Sequence, residues 1–331
     1  MGYHLAQRGL AFQLVDGGAE IGGTWRSRWD SLRLFTSGRY DNLPGLPFPA
    51  APNTYPGKND VADYLQAYAA KFELPVRLST NVTSLTRGNG TYVAKAGDEA
   101  LEARQVVIAT GPFHAPFIPP VADGLDPGVH QVHSAHYRHP QSVPPGKVLV
   151  VGAANSGCQI AQELSATHRV ELSAGQRIPA IPQRPLGRDV WAWATALRLD
   201  KVTADSRLGQ RLAGRDQVIG PGLRRLARRH GIQIRPRAAS AAGRTVTFAD
   251  GSTTEFDAVV WATGFMADHS WIDISDAKDQ RGHIRHTRGV TSSPGLYMLG
   301  LTWQHTRGSA LLGWVGNDAA FLADRIAAAN R

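Results

Sequence analysis

The chain has 331 residues, 42% hydrophobic and 19% charged, with a net charge of +9; that is enough for two domains with full cores and ordinary for a globular protein. Six of its 36 basic residues are lysine and the rest arginine, no nucleic-acid motif accompanies them, and no nucleic-acid partner is expected. Cys158 is the only cysteine, which excludes an intramolecular disulfide and a dithiol redox centre and suits a reducing cytoplasm. No apolar run approaches the roughly 18 residues of a membrane span, residues 1–14 do not read as a signal peptide, and no metal-ligand set is assigned.

In chain order, residues 2–8 read as the back half of a helix ended by Gly9, and residues 10–15 as a strand with Asp16 at its end. In a dinucleotide-binding unit, an acid at the end of the second strand takes the ribose hydroxyls. The helix and second strand of such a unit are therefore present, while its first strand and glycine turn do not precede them. Gly22 and Gly23 allow close backbone approach to a phosphate or a ring, and Thr24-Trp25 follow, with Trp25 able to lie against a flat cofactor; Arg26, Arg28, Arg33 and Arg39 surround them. A Pro-rich loop spans 43–56. A helix over 60–72 carries Val61, Leu65, Tyr68 and Ala69 on one face. Short strands are expected at 76–78 and 82–85.

An internal repeat follows. Residues 91–111, TYVAKAGDEALEARQVVIATG, and 245–264, TVTFADGSTTEFDAVVWATG, both read as strand, glycine turn, strand, then an apolar strand ending in Ala-Thr-Gly. Such self-similarity suggests two units of one architecture. Thr110-Gly111 and Thr263-Gly264 then lie at the carboxyl ends of parallel strands, where ligands bind.

Residues 112–145 read as a Pro- and His-rich connection and hinge. The stretch 147–157, KVLVVGAANSG, is the centre of the chain. A strand over 147–152 runs into Gly152, Ala154 and Gly157 in the G-x-G-x-x-G spacing, with Ala in the middle slot; Ser156 is expected to cap a helix over 157–165, and Asn155 to sit beside the pyrophosphate. A strand over 170–173 ends in Ser173, with Arg177 shortly after, a pattern that favours NADP over NAD; Glu171 competes with it from inside the strand. Residues 178–235 interrupt the unit. Within them a helix over 189–199 carries Trp191 and Trp193 on different faces, and Arg224, Arg225, Arg228 and Arg229 read as a solvated helix face. A strand over 295–299, a loop over 302–308 and a helix over 315–329 close the chain.

At Gly22-Gly23-Thr24-Trp25, the two Ala-Thr-Gly strands and the Gly152 fingerprint, the chain resembles the flavin-containing monooxygenases, and within them the bacterial branch of cation-efflux-associated flavoproteins. Gly128, His133 and Tyr137 in GVHQVHSAHY approximate that family's linking signature, with one extra residue between Gly and His, and Tyr137 stands where the Baeyer–Villiger branch carries Trp. The ending GLTWQHTRGSALLGWVGNDAA resembles the segment that closes over the flavin. The resemblance covers essentially the whole chain.

It implies an α/β fold of two Rossmann-like domains, the NADP domain inserted in the FAD domain: 1–112 the first part of the FAD domain, 113–142 a connection, 143–289 the NADP domain, and 290–331 the rest of the FAD domain. For FAD it implies Asp16, Gly22, Gly23, Thr24, Trp25, Val82, Thr110, Gly111, Gln304 and His305. For NADPH it implies Gly152, Ala154, Asn155, Ser156, Gly157, Ser173, Arg177, Thr263 and Gly264. The implied reaction passes hydride from NADPH to the flavin and one oxygen atom of O2, through a flavin C4a-hydroperoxide, to a soft N or S nucleophile of a small organic substrate; no catalytic side chain is assigned. The pocket is expected between the domains, near Thr36, Trp191 and Gln304. Oligomeric state stays open, a homodimer included. So do two other readings, an NADPH-dependent flavin reductase or oxidase and a catalytically inactive nucleotide-binding protein. The family begins with a strand and a G-x-G-x-x-G turn for the FAD pyrophosphate. The expectation is therefore a chain short of that family by about 15 to 20 residues, the size of a strand and its turn, binding FAD poorly and marginally stable.

Overall fold

The structure, a computed structural model, describes residues 1–175, 179–213 and 218–330. α1 (Gly2–Ala6) gives way to a turn at Gly9, whose φ is +63°. β1 (Leu14–Val15) is shorter than the six-residue strand expected, and Gly23 and its neighbours form a single helical turn, α2 (Gly23–Arg26). α3 (Lys58–Lys71) buries Val61, Ala62, Tyr64, Tyr68 and Ala69. β2 (Val76–Arg77) pairs in parallel with β1 and is its only strand partner among the described residues. A strand is held by the ladder bonds of its neighbours, and β1, with one edge free, keeps two residues of strand. β3 (Ser84–Gly88) begins two residues later than expected and leads into β4 (Thr91–Ala96) and β5 (Glu99–Ala103), an antiparallel meander; β6 (Val106–Ile108) follows.

β7 (Ala115–Pro116) opens the linking stretch. That stretch is more than a hinge: β8 (His130–His133) is a strand of the next sheet. β9 (Lys147–Val151), α4 (Asn155–Leu164) and β10 (Arg169–Ser173) form the βαβ unit read from the sequence, with β9 and β10 parallel. The interrupting segment holds β11 (Ala180–Ile181), α5 (Val190–Ala196), α6 (Arg207–Ala213) and β12 (Val218–Ile219), and α7 (Leu223–His230) then crosses back to β13 (Gln233–Arg235). β14 (Ala238–Ala242), β15 (Thr245–Phe248) and β16 (Thr253–Glu255) form a second antiparallel meander, followed by β17 (Ala258–Trp261). The second half of the repeat thus has the same strand order as the first.

The sheet of this second unit runs β13-β10-β9-β17-β8, all parallel. Its two faces follow from the period of two along a strand. Val148 and Val150 of β9 pack with α4 and α7 through Cys158, Ile160, Leu164 and Leu226, while Leu149 and Val151 pack with the meander through Val246 and Phe248.

β18 (Phe265–Met266) pairs antiparallel with β7, so the segments leaving and re-entering the first unit are bonded to one another. β19 (Ile272–Asp273) pairs with β3, and Ile272, Ile274, Ala277 and Ile284 share a core with Leu85 and Tyr92. Residues 272–284 therefore pack with the first unit, ahead of the boundary at 289 expected from the sequence. β20 (His286–Thr287), β21 (Val290–Thr291) and β22 (Leu296–Met298) form a sheet with β6, in which β22 and β6 are parallel and β6 is the outermost strand. α8 (Val315–Ala329) covers it with Ala319, Leu322, Ala323 and Ile326. Among the described residues no helix is long and apolar enough to cross a membrane.

Candidate functional site

β9 ends in a turn that only glycine can make. Gly152 has φ +104°, and a Cβ there would stand 2.3 Å from the Ala262 carbonyl oxygen; a Cβ on Gly157 would stand 1.8 Å from the Gly152 carbonyl oxygen. Both glycines press α4 against the ends of β9 and β17. The cap of α4 is Ala154, one position before Asn155, and it offers no side-chain acceptor; Ser156 lies within the first turn and does not cap it. The first N–H groups of α4 are therefore left for an outside acceptor, and the methyl of Ala154 is exposed beside them. Asn155 is turned away from that acceptor, its Oδ1 accepting from the Ile219 N–H at 3.0 Å. An uncapped helix N-terminus behind a tight glycine turn fits a dinucleotide pyrophosphate.

The residues expected around it divide. Ser173 is 1% exposed, and its hydroxyl donates to the Pro236 carbonyl at 2.8 Å while accepting from the Ala238 N–H at 3.0 Å. It ties β10 to the meander and does not face a ligand. Arg177 lies outside the described residues. Glu171 is buried and held by Lys147 at 2.7 Å and Arg235 at 2.6 Å. Burial raises its pKa, but Arg235 and Lys147 outweigh this and hold it below the usual carboxylate range. Thr263 bonds the Phe117 carbonyl, and the Gly264 carbonyl accepts from the Phe117 N–H at 3.0 Å, so both belong to the crossing between the units.

In the first unit Asp16 is exposed. Its Oδ1 accepts the Gly18 N–H at 2.7 Å, and its carbonyl accepts from the Thr80 N–H at 2.9 Å. A Cβ on Gly17 would stand 3.2 Å from Asn81 Oδ1, which brings Val82 to the same edge. Gly22, at φ +82°, lies so close to α3 that a Cβ would stand 2.8 Å from the Ala62 Cα. Thr24 is exposed, and Trp25 packs against the cores of both units. Arg26 is engaged by Asp63 and Glu20. Thr110 is exposed, and Gly111, at φ +72°, faces open space. Gln304 is buried with its Nε2 unpartnered, and the His305 carbonyl accepts from the Ala204 N–H at 2.7 Å. These residues fit the ribose and ring portions of a dinucleotide. Among the described residues of 1–112, no strand runs within a few residues into a glycine turn and a helix as β9 runs into α4; Gly22 opens only the four-residue α2.

The two units meet along an aromatic seam. Trp191 of α5 is buried and packs on Trp314 at 4.8 Å and Phe35 at 6.3 Å, and Tyr40 stacks on Trp314 at 5.9 Å. Trp193 points elsewhere, donating to the Pro185 carbonyl with Arg188 over its ring. The regions of Thr36 and Trp191 thus meet through Phe35, with Trp314 between Trp191 and Tyr40. One residue of this region, Asp41, is not legible from the sequence. Asp41 is 1% exposed; its Oδ1 accepts from Thr36 at 2.5 Å, its Oδ2 has no partner, and burial pushes its pKa up to about 6. His133 is buried at the end of β8, with Nδ1 accepting the Ala135 N–H at 3.1 Å and Nε2 facing the Gly264 carbonyl at 2.9 Å. Nε2 therefore carries the proton, and burial lowers the pKa of the ring.

Residues 1–183 match the pyridine nucleotide-disulphide oxidoreductase family. The chain is 45% identical over 327 residues to an uncharacterized CzcO-like oxidoreductase of Geobacillus kaustophilus, covering 98% of this chain and 94% of that protein. It is 26% identical to a probable indole-3-pyruvate monooxygenase, YUCCA1, of Arabidopsis thaliana, covering 97% and 85%. Among solved structures, the flavin-containing monooxygenase from Stenotrophomonas maltophilia superposes with a TM-score of 0.81 at 28% identity, covering 100% of this chain and 94% of that one. Dithiol chemistry is closed to this chain, since Cys158 is its only cysteine and burial pushes that thiol up to about 11. The chain belongs to the pyridine nucleotide-disulphide oxidoreductases and, among them, to the flavin monooxygenases, whose members use FAD and NADPH.

Proposed function

We propose that this protein is an NADPH-dependent flavoprotein monooxygenase that delivers one oxygen atom of O2 to a soft N or S nucleophile of a small organic molecule. The observation that carries the reading is the uncapped start of α4 behind Gly152 and Gly157, in a chain with no second thiol to receive electrons from a reduced flavin. When bound, the flavin supplies the redox chemistry. The chain binds, orients and excludes water. Ala154, Ser156 and Gly157 present N–H groups to the nicotinamide cofactor's phosphates, while Gly152, its own N–H donated to the Ser173 carbonyl at 3.0 Å, makes the turn; Asp16, Thr24, Trp25, Val82, Thr110 and Gly111 line the flavin side. Trp191, Trp314 and Tyr40 keep the seam between the units dry. The domains are read as 1–112 with 267–331, and 117–264.

The test is a stoichiometry. With FAD in excess and NADPH supplied, O2 uptake, peroxide release and product mass are measured against a panel of amines and thioethers. A product heavier by one oxygen atom, with peroxide falling as product rises, is the expected outcome. Peroxide equal to NADPH consumed for every compound would instead establish a reductase or oxidase. That second reading is favoured by the same cradle and by nothing else observed.

A further inference from the structure

Outside the cofactor edge, the molecule has a cavity of about 430 Å³ along the solvent side of α4 and α7. Its volume is in the range of small-molecule sites. Arg225, Arg229 and His230 of α7 line one wall, Arg184 of the interrupting segment another, and Gln162 of α4 contributes an amide. Arg225 and Arg229 lie one helical turn apart and are both exposed. Among the described residues neither forms an ion pair, and no carboxylate lines the cavity. Asp189, whose charge reaches Tyr55, is occupied at the start of α5, accepting from the Trp191 N–H at 2.8 Å. The floor and rim are apolar, with Leu226 buried beneath and the Tyr55 ring at the side.

We propose that this groove binds a small organic anion carrying phosphate or carboxylate groups, with an apolar or planar body. Unpaired guanidinium groups in a concave wall without acids meet anionic oxygens in charge-assisted, often bidentate bonds, and the ring and aliphatic rim take the body. Tyr55 is the one lining residue from the first unit. A ligand in the groove therefore touches both units.

The experiment is calorimetric titration of the protein with pyrophosphate and, separately, with citrate, in the presence of saturating NADP+ so that the α4 cradle is filled. Wild-type protein is expected to bind at least one of them. The affinity should fall about tenfold or more in the R225Q/R229Q variant, the loss of roughly one charge-assisted contact or more, and should weaken with salt. Both arginines are exposed, so the variant is expected to unfold at the wild-type temperature, which is measured alongside. No binding by the wild type, equal binding by the variant, or loss of binding when NADP+ is present would each overturn the proposal. Tighter, Arg225/Arg229-dependent binding of a short DNA duplex would overturn it in favour of a macromolecular anion.

Discussion

In the second unit β9 lies between β10 and β17, and its Val148, Leu149 and Val150 are fully buried. In the first unit β1 and β6 hold the corresponding places, each with one edge that pairs with nothing among the described residues. The consequences run outward from that difference. Ala262, after β17, is buried against the Gly152–Gly157 turn, whereas Ala109, after β6, is exposed; Leu172 of β10 is fully buried, whereas Val15 of β1 is 36% exposed. The middle strand closes the sheet and also carries the glycine turn that leaves the first N–H groups of α4 uncapped. Within the described residues the first unit has the meander and the Ala-Thr-Gly strand of the second, without a strand paired between β1 and β6.

The largest expected effect comes from filling the turn in the second unit. Gly157→Ala would put a Cβ 1.8 Å from a backbone oxygen, so the helix must move. We expect about 3 kcal/mol of lost stability and loss of NADP+ binding. Gly111→Ala, in open space at φ +72°, should cost only the left-handed strain, about 1 kcal/mol. Equal losses in denaturant titrations of the two variants would break the comparison.

Buried carboxylates differ between the units in the same way. Glu171 is paired and held low, so its contribution to stability is present at neutral pH and is lost as pH falls through its folded value. Glu171→Gln should cost about 2 kcal/mol at pH 7, less than a fully buried pair would, because Lys147 and Arg235 are partly exposed. Asp41 is unpaired at Oδ2 and pushed up to about 6, so its cost is fully felt above pH 6 and is relieved toward pH 4. Asp41→Asn should stabilise the protein at pH 7 by roughly 2 kcal/mol and leave it unchanged near pH 4. A stabilisation of the same size at both pH values would remove the ionised carboxylate from the account.

The smallest effect concerns the linking stretch. Tyr137 is fully buried, and its hydroxyl donates to Glu163 of α4 at 2.8 Å. Tyr137→Phe should cost about 1 kcal/mol without altering the KM for NADPH. A changed KM would place the linking signature in the cofactor site rather than in the packing of the second unit.

Much of the fold could be read in the sequence because local pattern and burial agree there. The repeated meander and the apolar strands over 106–108 and 258–261 are long-range features written in short-range spacing, and so is the glycine turn after β9. What could not be read depends on neighbours. The HQVH segment of β8 has too few apolar residues to declare a strand, and becomes one because β17 offers an edge. β1 shrinks because it lacks a second partner. Ser173 sits at the end of its strand as expected, but the meander takes its hydroxyl. Asp41 and Trp314 belong to the seam only after residues far apart in the chain are brought together.

The most direct measurement is a pair of titrations on one preparation of residues 1–331, with NADP+ and with FAD, followed by gel filtration and a flavin absorbance spectrum. The account predicts saturable NADP+ binding, FAD binding weaker by about a hundredfold or more because the described residues hold no second cradle of the α4 kind to make charge-assisted bonds to its phosphates, and far less than one flavin per chain after filtration. One FAD retained per chain, or NADP+ binding no tighter than FAD binding, would contradict it.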